Sequence, residues 1–147
     1  MRTLNAIVLT LALIASLTVV AVAEEPGPKG FPELKAFHDV MAQMWHVDFP
    51  KDDWAAIRTV APKLSEAAAA LVKAELPANY AERKAQYAID VKLLADSVAN
   101  VVAAAKGDDD AKLKQSVIKM HEFFHDLIYN LNSQKEANNS QQYLVPE

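Results

Sequence analysis

The chain of 147 residues has no cysteine. This excludes disulfide staples, thiolate metal sites and haem held through thioether bonds. A lipoprotein anchor, which needs a cysteine behind the leader, goes with them. Glycine is nearly missing too, with three in all. Two of these, Gly27 and Gly30, fall in the stretch Glu24-Glu25-Pro26-Gly27-Pro28-Lys29-Gly30, which reads as a flexible leader. There is no basic stripe: 15 Lys and Arg stand against 19 Asp and Glu. A chain so balanced has nothing to track phosphates, so nucleic acid is not an expected partner. No alternating strand pattern occurs.

What is present begins with a secretion signal. Arg2 is followed by an apolar run from Ala6 to Val22, and Ala21-Val22-Ala23 gives the small-x-small pattern of a processing site. The competing reading is an uncleaved anchor, because the run nearly spans a bilayer. The expected organisation is a signal at 1–23, a leader at 24–31, a helical bundle at 32–132 and a polar tail at 133–147. It implies a periplasmic or secreted protein with no membrane contact once the signal is cleaved.

The remaining chain is rich in alanine, leucine, lysine and glutamate, which is helix composition. Four helical segments are expected. The first runs from about Pro32 to His46, with Phe49-Pro50 as its stop. The second begins at Asp52-Asp53 and ends at Leu76-Pro77, with Pro62 expected to kink or divide it. The third runs from about Asn79 to Lys106, closed by Gly107 in the C′ role. The fourth opens at Asp108-Asp109-Asp110 and continues to about Leu131. Leu113, Val117, Met120, Phe124, Leu127 and Leu131 recur at intervals of three and four, one stripe facing a core. Short connections between long helices imply an all-α, up-down-up-down antiparallel four-helix bundle.

All four histidines lie on the first and last helices: His38, His46, His121 and His125. His121 and His125 are i,i+4 neighbours, near enough to share one metal ion. In an antiparallel pairing, His38 comes opposite His125 and Met41 opposite His121. Three nitrogens and a thioether suit copper, and zinc if Met41 gives way to water or a carboxylate. His46 lies two turns from His38, about 12 Å along the axis. It is the third ligand instead of His38 if the register shifts, and otherwise serves a second site or the surface beside Trp45. The ordinary alternative for a histidine pair is a solvated helix face, and for methionine it is core filling. Trp45 and Trp54 are expected to cover the bundle end.

Two enzyme signatures are spelled here without their context. His121-Glu122-Phe123-Phe124-His125 matches the H-E-x-x-H of zinc peptidases. Those enzymes need a third ligand and a substrate cleft beyond the motif, and little chain follows. Glu122 and His125 also give half of a di-iron carboxylate site, whose second Glu-x-x-His is missing. An enzyme is therefore not expected.

Export, length, four helices and a histidine on the last helix resemble the periplasmic cytochrome c-prime family and its b-type relatives. In that family the last helix carries Cys-x-x-Cys-His. His125 falls at the axial histidine, with His121 and Phe124 at the two cysteine positions, so covalent attachment is lost. The b-type relatives imply Met41 as the second axial ligand. The resemblance thus implies either a haem-free relative whose pocket holds a metal ion or non-covalent haem b between Met41 and His125.

The resulting expectation is a periplasmic metal-binding protein that stores, delivers or buffers copper or zinc through His38, Met41, His46, His121 and His125. The alternatives are a b-type haem electron-transfer cytochrome and a cofactor-free adaptor bundle. A homodimer and a periplasmic partner protein both remain open.

Overall fold

The computed structural model describes the backbone of residues 30–142 and the side chains of residues 30–133. The expected signal at 1–23, most of the leader and the last five residues of the tail lie outside these residues. Every regular element described is helical. The four principal helices are α1 (Pro32–Gln43), α2 (Trp54–Lys73), α3 (Lys84–Ala105) and α4 (Asp110–Gln142). Packing follows chain order: α1 lies on α2, α2 on α3, and α3 on α4. No helix among the described residues is long and apolar enough to cross a membrane.

α1 starts at Pro32, whose fixed φ suits a first turn and whose missing N–H would have had no helical partner. The residue before it, Phe31, was expected in the leader. It is buried and meets the Tyr87 ring at 5.8 Å between centroids, so the core begins one residue ahead of the helix. α1 then passes into a π-turn, Met44–Asp48, and a 3-10 turn, Phe49–Lys51. The Phe49 N–H donates to the Met44 carbonyl, five residues back. Pro50 has no N–H to offer the His46 carbonyl, so the α-helical ladder has to end here. Asp52 completes the exit in the left-handed region, at φ 52°.

Asp53 caps α2 by accepting the Ala56 N–H at 3.0 Å. α2 runs through Pro62 as one helix, so the expected division does not occur. It stops at Lys73, ahead of the expected Leu76. A 3-10 segment, Ala78–Arg83, leads into α3, which therefore starts later than the expected Asn79. Gly107 takes the expected C′ position after the Lys106 cap, though its φ is not positive, Gly30 being the only described glycine with positive φ. Its N–H instead donates to the Ala104 carbonyl at 3.1 Å, a tightened last turn. Asp109 caps α4 through the Lys112 N–H at 2.9 Å. α4 continues to Gln142, past the expected end at Leu131. Neither glycine nor proline interrupts residues 132–142, and glutamine, lysine, glutamate and alanine there favour helix.

The core is a single cluster to which every helix contributes. Phe37 and Met41 of α1, Ile57 and Leu64 of α2, Leu94 and Val98 of α3, and Val117 and Leu127 of α4 are all buried. The α4 stripe read from the sequence is the buried face of that helix. α3 and α4 pack most closely of all the pairs. α1 and α4 stay farther apart in backbone, and aromatic rings fill the space between them.

Candidate metal centre

The seam between α1 and α4 gathers the histidines. On α4, spacing of four places His121 and His125 on one edge, with ring centroids 4.4 Å apart and planes tilted by 55°. Facing them, His38 stacks on Phe124 at 5.6 Å, and Phe37 stacks on the same ring at 5.7 Å. Trp45, the second residue of the π-turn, lies flat on His121 at 3.7 Å with an interplanar angle of 10°.

The π-turn matters to this arrangement. In an unbroken α-helix, residue i+8 lies about 80° round from residue i. A π-turn advances less per residue, because its hydrogen bonds reach five residues back. It therefore takes up part of that rotation and brings His46 closer to the His38 edge. Single π-turns within helices occur often at functional sites.

Each of the other three histidines acts electrostatically on His121. His121 is pushed down to about 4, first by burial, then by the nearby His125 and His46, with a smaller contribution in the same direction from His38. Glu122 opposes the shift. His121 is therefore a neutral imidazole at physiological pH, the form that donates a lone pair to a metal. His125 and His46 are exposed, and His38 and His121 are half-buried.

The remaining expected ligand, Met41, is placed in the core at 1% exposure, and Met44 is likewise enclosed at 0%. His121 and His125 are in ring contact and His38 and His46 lie within electrostatic reach of His121, whereas Met41 and Met44 are enclosed in the core. Among the described residues, no three histidine or carboxylate side chains stand close enough to hold one ion as they are placed.

Sequence reasoning gave Trp45 only a covering role. It lies against Phe49 at 4.6 Å, and Phe49 meets Trp54 edge-on at 5.8 Å. Lys114 of α4 sits 5.7 Å from the centroid of each of these last two rings, a cation on two π faces. A row of rings thus runs from Trp54 through Phe49 and Trp45 to His121 and His125. The available signal was the adjacency of Trp45 and His46 just before Phe49-Pro50, on the helix expected to face the histidine pair.

No family model, curated protein or solved structure matches the chain.

Proposed function

We propose that this chain is a non-enzymatic metal-binding protein of the periplasm, holding copper first and zinc second for storage, delivery or buffering. The observation that carries the reading is the His121 and His125 ring pair, 4.4 Å apart, with His38 and His46 of the facing side within electrostatic reach of His121. Imidazole suits both metals, and copper(II) outranks zinc(II) at a given nitrogen site. On this reading His121 and His125 are the principal ligands, and His46 or His38 from the facing helix supplies a third. The helices take the up-down-up-down antiparallel order that their short connections favour. Met41 fills the core and gives the ion nothing.

The resemblance to the cytochrome c-prime family then becomes that of a haem-free relative. Two features favour an ion over haem b. The rings of Phe37 and Phe124 stack in the space between α1 and α4, where a haem plane would have to lie. Met41, the expected second axial ligand, is enclosed among apolar side chains.

Titration of the purified chain with Cu(II), Cu(I) and Zn(II) against chelators of known affinity tests the proposal. The double variant His121→Ala with His125→Ala should lose at least about 100-fold in affinity, since two of the few available donors are gone. Unchanged affinity in that variant would sink the reading. A Soret band that appears with added haemin and vanishes in His125→Ala would replace it with the cytochrome.

A further inference from the structure

Four histidines share this seam, yet no three donors among the described residues are placed to hold one ion as they stand. An imidazole binds a metal through a lone pair in the plane of its ring, so ligation demands a particular orientation of that plane. The plane of His121 is held by a stack: Trp45 lies parallel to it at 3.7 Å. Trp45 cannot readily yield, because Phe49 backs it at 4.6 Å. Phe49 in turn meets Trp54 at 5.8 Å, and Lys114 covers both of these rings. On loading, the ring that turns is therefore His121.

We propose that Trp45 is a latch on the metal centre. Its stack with His121 is the resting arrangement, and uptake of an ion exchanges that stack for coordination. The inference rests on the metal-binding reading and adds what sets the affinity of the site. A ligand can shift an equilibrium only by its preference for one arrangement, so the stack subtracts its own free energy from binding. An aromatic pair contributes about 0.5–1.5 kcal/mol, which corresponds to roughly a 2- to 12-fold change in affinity. The sign separates a latch from a support. Were Trp45 holding His121 ready for the ion, its loss would weaken binding; as a latch, its loss tightens binding.

The test uses the full mature chain and Zn(II), a closed-shell ion whose effect on indole emission reports ring contact. Trp45→Leu should bind Zn(II) roughly 2- to 12-fold more tightly than the parent, and Trp45→Phe, which keeps a ring in place, should fall between them. In a Trp54→Phe background, Trp45 emission should change in step with zinc occupancy. Melting followed by circular dichroism establishes that each variant is folded before its affinity is compared. Equal or weaker binding by folded Trp45→Leu, or Trp45 emission indifferent to zinc, overturns the latch alone. A parent chain that takes up neither zinc nor copper removes the metal reading and the latch together.

Discussion

The two sides of α4 are built differently. Toward α3 the backbones approach closely, and several polar groups pair there, although the buried Arg83 Nε has no partner among the described residues. Asp90, buried at 6% exposure, accepts from Gln86 at 2.8 Å on one carboxylate oxygen and from Asn130 of α4 at 3.0 Å on the other. Nearby, Arg83 donates to Ser133 at 3.0 Å. Toward α1 the backbones stand apart, and rings meet face to face across the gap. One seam spends its polar groups on each other. The other keeps several imidazole nitrogens without protein partners of that kind. A close, matched seam fixes geometry, while a wide, ring-filled seam leaves donors for something else.

The largest effect expected from this contrast is on the matched side. Asp90→Ala leaves Asn130 and Gln86 without their acceptor and should cost about 1–3 kcal/mol in urea denaturation. Zinc affinity of the folded variant should stay at the parental value. Altered affinity would mean that the two seams are mechanically coupled.

A smaller effect is expected from acid on the histidine side. His121 is held down to about 4 in the fold against an ordinary value near 6.5. Between those values the unfolded chain binds the extra proton and the folded chain does not. Stability is therefore full above about pH 6.5 and declines as pH falls toward 4. Thermal melts at pH 7 and pH 5 should show a larger drop for the parent than for His121→Gln. Equal drops would indicate that the imidazole is free to protonate where it stands.

The smallest effect serves as a control. Lys92 and Asp96 pair at 2.6 Å on an exposed stretch of α3. Lys92→Ala should change stability by less than about 0.5 kcal/mol and leave metal binding untouched.

The fold was largely legible because apolar spacing is a local signal. The α4 stripe from Leu113 to Leu131 and the caps at Asp53 and Asp109 could be read from neighbouring residues alone. The end of α4 was placed too early because amide-rich sequence was taken as a stop, although Gln and Lys propagate a helix well enough. Pro62 does not divide α2, where tertiary packing on both sides of it at Ala61 and Leu64 holds the helix together. At the candidate site the histidines could be found, since their pairing needs only helix periodicity. Met41 could not be placed so easily, because a methionine on a buried stripe and a methionine ligand are spelled alike. The π-turn was hidden for a different reason. It depends on how the exit before Pro50 is reconciled with packing against a distant helix, and Trp45 acquires its role only through that shift.

Lys114 sits over both Phe49 and Trp54 and lies 3.6 Å from Asp52. One solvent-accessible ammonium on α4 therefore fastens the whole exit from α1. Such a clasp is screened by dissolved ions, whose reach falls from about 10 Å at 0.1 M to about 3 Å at 1 M. Salt should loosen this end of the molecule before any other, and amide hydrogens around residues 48–54 would exchange faster in brine while those of α3 keep their pace. The stiffness of the exit would thus follow the salinity of the medium.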